Sequence, residues 1–208
     1  MATLTVTKDK GGVSRREGMT VIEPALVVPL AKLKAIGKQA GLDGVFVADF
    51  VSALAMHERH AARVAMAAAE QTERPKRRKT YEKLAQLHAE RTGALEALLA
   101  KLKLPALYVS PASRAAGHMV AALAQAPLLA GSVDAEGREC MLLDVAFLLA
   151  EQSLANTEAL TAVAAAAAAS TTRTTLVKTA KLLAANVALF EKVRALRKAS
   201  IVQAARKK

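Results

Sequence analysis

Residues 54–72 read LAMHERHAARVAMAAAEQT. Two histidines and a glutamate interrupt an alanine-rich run. An α-helix turns about 100° per residue. On that spacing Val47, Phe50, Val51, Leu54, Ala61 and Ala65 share one face, and Glu58 falls in its middle. His57 lies at the edge of that face and His60 points away, so the three polar side chains cannot meet at one metal ion. The zinc-protease spacing H-E-x-x-H also fails, because the second histidine comes one residue early. The stretch reads as a helix that turns one acid toward the core, and a buried acid needs a partner. His57, His60 and His118 are expected to face solvent or a boundary.

The rest of the chain extends this helical reading. Of its 208 residues 53% are hydrophobic, yet only 3% are aromatic and none is Trp. Alanine and leucine must then do the packing, which favours close-packed helices over a β-sandwich. Asp43 is a natural cap for a first long helix over about 44–71. A basic turn, RPKRRK at 74–79, leads into a second helix over about 78–102, ended by Pro105. A shorter helix is expected over about 113–126, a third long one over 137–169 and a fourth over 174–198. Residues 1–40 read as an irregular arm, broken by Pro24 and Pro29 and ending in a short helix near Gly41, and residues 199–208 as a fraying basic tail. The domain proper is 41–198: an all-α bundle of four long helices, with a short extra helix between the second and third.

The second helix repeats the anomaly of the first. Tyr81, Leu84, Leu95, Leu98, Leu99 and Leu102 share a face, with His88 and Arg91 inside it. On the third helix Asp144, Leu148, Glu151 and Ala155 fall along one line, so Glu151 is expected to point inward too. Inward carboxylates from several helices are how bundles build di-metal centres.

With these residues in view, the stretches LAMHERHAARVAMAAAEQT, YEKLAQLHAERTGALEALLAKL, YVSPASRAAGHM and LLAGSVDAEGRECMLLDVAFLLAEQSLAN resemble bacterial proteins of the ferritin-like domain superfamily, over roughly 45–160. The resemblance implies a four-helix bundle of the di-iron carboxylate type, able to hold two iron or manganese ions. It implies one glutamate on each of two helices and a Glu-x-x-His pair on each of the others. The first-helix ligand falls on Glu58 and the third-helix ligand on Glu151. The second-helix pair falls at about His88 and Arg91, which departs from Glu-x-x-His. The fourth-helix pair falls near Leu183 and Asn186, and between Glu158 and Glu191 there is no Asp, Glu or His. The metal set reduces to Glu58, His88 and Glu151, with Asp144 as a fourth candidate. The expectation is a degenerate centre in which Arg91 pairs with Glu58 and Glu151 and stands where a dication stood; a residual single-ion site on the E/H/E set is the alternative.

Charge locates the surface that could act. The net charge is +12, but residues 172–208 alone carry +9, with Glu191 their one acid. Lys192, Arg194, Arg197, Lys198, Arg206, Lys207 and Lys208 form the candidate polyanion-binding set, suited to nucleic acid without sequence preference. No Gly-rich phosphate loop or Ser/His/Asp set supports an unrelated enzyme. The lone Cys140, expected buried and inert, excludes an internal disulfide and fits a reducing cytoplasm. No signal pattern opens the chain, and its most apolar segment, MLLDVAFLLAEQ, is too short for a transmembrane segment. The expected protein is a cytoplasmic, homo-oligomeric bundle without catalysis or cofactor, working through its surface by self-association or by binding a polyanion or protein partner. Its alternative is a metal-dependent ferritin-like protein of iron oxidation, storage or peroxide chemistry.

Overall fold

Asp43 starts the first long helix as its position predicts. Its Oδ1 accepts from the Val45 amide at 2.9 Å and the Phe46 amide at 3.3 Å, and α2 (Gly44–Gln71) follows. The computed structural model describes residues 5–8, 12–14, 28–106, 108–129, 131 and 134–206. Before α2 come an antiparallel strand pair, β1 (Thr5–Lys8) and β2 (Gly12–Ser14), a short helix α1 (Leu30–Ala35) and a 3₁₀ turn at Lys38–Ala40. Gly44 lets α1 cross the start of α2, because a side chain there would collide with the carbonyl oxygens of Leu33 and Ile36. Residues 30–40, expected to belong to the arm, thus pack on α2.

After α2, α3 (Pro75–Lys101) begins three residues earlier than expected. Pro75 takes the first helical position, where its missing N–H costs nothing. α4 (Pro111–Leu129) is opened by two serines. Ser110 Oγ accepts from the Ser113 amide at 3.1 Å and Ser113 Oγ from the Ser110 amide at 2.8 Å, the reciprocal logic of a capping box. α5 (Ala135–Ala166) starts on Asp134, whose Oδ1 accepts from Gly137 N at 2.7 Å.

The expected fourth helix is two helices, α6 (Thr171–Ala184) and α7 (Ala188–Arg206). The expected fraying tail is also corrected, because α7 runs to Arg206 and buries Ser200. Lys207 and Lys208 lie outside the described residues.

Contacts between the ends set the helix directions. Ala168 at the end of α5 donates to Ala40 beside the start of α2, so α2 and α5 are antiparallel. Arg77 at the start of α3 donates to Glu139 near the start of α5, so α3 and α5 are parallel. α4 carries the crossover between them and packs on α2 and α5. α6 and α7 both pack against α3 and α5. The architecture is all-α, and among the described residues no single helix is long and apolar enough to cross a membrane.

The apolar core falls into separate groups. Val47, Val51, Leu95, Leu98, Leu160 and Leu176 pack at one end. Tyr81, Leu84, Leu143, Phe190 and Val193 pack at the other. Between them, at mid-bundle, lies a polar layer.

Candidate functional site: an arginine in the bundle core

Glu58 on α2 meets His88 and Arg91 on α3 in that layer, and all three are at most 2% exposed. Arg91 Nε donates to Glu58 Oε1 at 2.9 Å, and His88 Nδ1 lies 2.6 Å from Oε2. The carboxylate can only accept, so Nδ1 carries the proton of that bond. The rest of the guanidinium is also committed. Nη1 donates to the Leu183 carbonyl of α6 at 2.7 Å, and Nη2 donates to the Ser153 carbonyl at 3.0 Å and to Thr157 Oγ1 at 2.7 Å, both on α5. Phe190 of α7 closes the layer, with its ring centroid 5.3 Å from Arg91 Cζ and 5.4 Å from the His88 ring. One arginine thus ties α3 to α2, α5 and α6.

The electrostatics follow from this packing. Burial alone pushes the Glu58 carboxyl up. The His88 hydrogen bond and the charges of His88 and Arg91 outweigh it and hold the group at about 2. Glu58 is therefore ionised across the physiological range. His57, expected at a boundary, is buried instead, with Nε2 3.1 Å from Ser153 Oγ and 3.3 Å from the Leu149 carbonyl. Burial pulls its imidazole below the ordinary histidine range, and the Glu58 charge does not cancel that. His60 is half-buried and His118 is exposed.

Glu151 is the main correction. It does not reach Arg91; it lies toward solvent and pairs with Arg194 of α7 at 2.8 Å. α5 is apolar nearly all round, so its periodicity could not orient one acid. Asp144 is likewise at the surface, 2.6 Å from Arg197. Of the expected metal set, the structure brings together only Glu58 and His88. Arg91 occupies the other oxygen of that carboxylate, and the α6 side supplies a carbonyl already bonded to the same guanidinium. This donor set does not fit a dication. Among the described residues no three His, Cys, Asp or Glu side chains are placed to hold a metal ion.

A second inward acid escaped the sequence reading. Glu139, one turn into α5, is buried and accepts from Thr72 Oγ1 and from Arg77 Nη1 at 2.9 Å. Arg77 also donates to Ser200 Oγ at 3.1 Å, and Cys140, half-buried, sits 3.3 Å from that hydroxyl. The basic turn RPKRRK is therefore partly structural: Arg74 pairs with Glu136 at 3.2 Å and Arg78 donates to the Thr72 carbonyl at 3.2 Å. The all-round apolar character of α5 hid Glu139 as it hid the facing of Glu151, and its partner Arg77, in the first turn of α3, is 62 positions away in sequence.

The candidate polyanion set divides. Arg194 and Arg197 are held by Glu151, Glu191 and Asp144. Lys192, Lys198 and Arg206 on α7, with Lys178 and Lys181 on α6, are exposed and, among the described residues, have no acidic partner. Comparison with protein-family models, with curated proteins and with solved structures finds no match to the chain.

Proposed function

We propose that this protein is a non-catalytic bundle of the ferritin-like type in which Arg91 stands in the place of the metal ions, and that its basic α6–α7 face binds a polyanion. The observation that carries the reading is the Arg91 guanidinium, fixed at mid-bundle on Glu58, Ser153, Thr157 and Leu183. A cation already sits where a second would have to bind, so like charges oppose metal entry. The parallel α3 and α5 joined by one long crossover support the ferritin-like part, since such bundles have one crossover connection. The surface part rests on the five exposed cations, which a phosphate backbone would neutralise with release of counterions.

The test is fluorescence anisotropy with a short labelled DNA duplex across a salt series. Five phosphate contacts give a log–log slope of about −4.5, hence a loss of about 500-fold between 50 and 200 mM salt. Replacing Lys178, Lys181, Lys192 and Lys198 by Glu together should abolish binding and keep helicity. Binding that ignores salt or these substitutions would show that the face is not the site.

A further inference from the structure

Beside the polar layer, α2, α4 and α5 enclose a groove of about 360 Å³, open along one side. Its walls include Phe50, Met119, Leu123 and Leu148, and Met119 and Leu148 are 61% and 47% exposed at its rim. Among the described residues no Lys, Arg, Asp or Glu lines it. Gln152 and Asn156, at one side, are hydrogen-bonded to each other at 3.0 Å. The remaining polar group is His57, which lines the groove although only 4% of its surface is exposed.

His57 gives the groove its chemistry. Its Nε2 lies 3.3 Å from the Leu149 carbonyl, which can only accept, so Nε2 carries the proton of the neutral ring. Nδ1 is then a lone-pair acceptor, and among the described residues nothing donates to it. Nδ1 is not sealed in the core; it is open to the groove that His57 lines, where a donor can reach it. The volume lies within the roughly 300–1,000 Å³ of small-molecule sites, which combine apolar walls with few polar anchors. We propose that this groove binds a small apolar molecule with one hydroxyl, of the phenol or alcohol class, whose O–H donates to His57 Nδ1 while its carbon body packs between Met119 and Leu148. A carboxylate is disfavoured, because a lone pair repels it and no cation lines the walls.

The test uses the full chain with ¹³C-methyl methionine and three probes: 4-propylphenol, propylbenzene and 4-propylbenzoate. 4-Propylphenol should shift the Met119 methyl signal and leave Met66, which lies outside the groove, in place. Loss of one neutral hydrogen bond should make propylbenzene about fivefold weaker, and 4-propylbenzoate should not bind. His57→Phe should bind phenol and propylbenzene alike, at the wild-type propylbenzene affinity. No shift at Met119, or equal affinity for phenol and propylbenzene in the wild type, would overturn the proposal. So would contacts between Met119 and residues 15–27, or a Met119 signal that moves with protein concentration. Those results would assign the groove to the chain's own arm or to a second copy. Should His57→Phe not fold, the wild-type probe comparison still decides.

Discussion

Arg91 on α3 donates to the carbonyl of Leu183 at 2.7 Å, and α6 ends one residue later. That carbonyl is among the last of its helix, which have no partner within it. A guanidinium there satisfies it and complements the negative end of the helix dipole. The same side chain reaches Glu58, Ser153 and Thr157. The break between α6 and α7 and the ion pair at mid-bundle are therefore one feature, organised by one residue.

Arg91→Leu should therefore be severe. It leaves Glu58 ionised and buried, and removing one partner of a buried ion pair costs about 3–5 kcal/mol. That is a large part of the stability of an ordinary domain. Glu58→Leu combined with Arg91→Leu removes both charges and should recover part of the loss. Recovery should stay incomplete, because the Leu183 carbonyl also loses its donor. Urea melts of the two variants measure this, and a near-neutral Arg91→Leu would contradict the central role given to the residue.

Parts of this arrangement were legible in the sequence for identifiable reasons. α2 and α3 have strong apolar stripes, so the inward positions of Glu58, His88 and Arg91 could be read from spacing alone. Asp43 was legible as a cap because a short acceptor precedes a periodic run. Glu151 was not, since an all-round apolar helix leaves every orientation open. The break at 185–187 was hidden as well: Ala185, Asn186 and Val187 include no Pro or Gly, and the contact that ends α6 comes from a residue about ninety positions earlier. Ser200 reads as part of a fraying tail because its partners, Arg77 and Cys140, lie 123 and 60 positions away in sequence.

Metal content tests the substituted centre directly. Protein produced with added iron and manganese should retain well under one equivalent of either after gel filtration. It should not oxidise ferrous iron faster than buffer. Two tightly held ions per chain, with oxygen-dependent turnover, would require Arg91 to leave the core and would reverse the reading of this site.

Two glycines should respond in opposite directions. Gly93 is exposed within α3, and a methyl group there would meet no atom within 4 Å. Gly93→Ala should stabilise the protein by about 1 kcal/mol through helix propensity. Gly44→Ala would drive a methyl group into the Leu33 and Ile36 carbonyls and push α1 off α2. A loss of at least about 2 kcal/mol is expected from such overpacking. Thermal melts of the two variants should move apart, and a shift of the same sign in both would contradict the placement of α1.

Acid should weaken the fold in two steps. Glu58 has its carboxyl at about 2 in the folded protein, against 4.5 in the ordinary case. A depressed group contributes stability that is fully present above its unfolded value and is lost as pH falls toward its folded one. At about 1.4 kcal/mol per unit, Glu58 accounts for about 3 kcal/mol, lost between about pH 4.5 and 2. His57 is also lowered, so its contribution has the same sign but begins to fall higher, as pH drops through the ordinary histidine range. Other carboxylates titrate in the lower window, so the decisive quantity is a difference between variants. Glu58→Gln cannot ionise at this position, and its deficit against the wild type should shrink as pH falls from about 4.5 to 2. His57→Phe should flatten the upper step and leave the lower one. Urea midpoints from pH 7 to pH 2 supply both comparisons. A Glu58→Gln deficit that stays constant on acidification would mean that the Glu58 carboxylate is not held charged by His88 and Arg91.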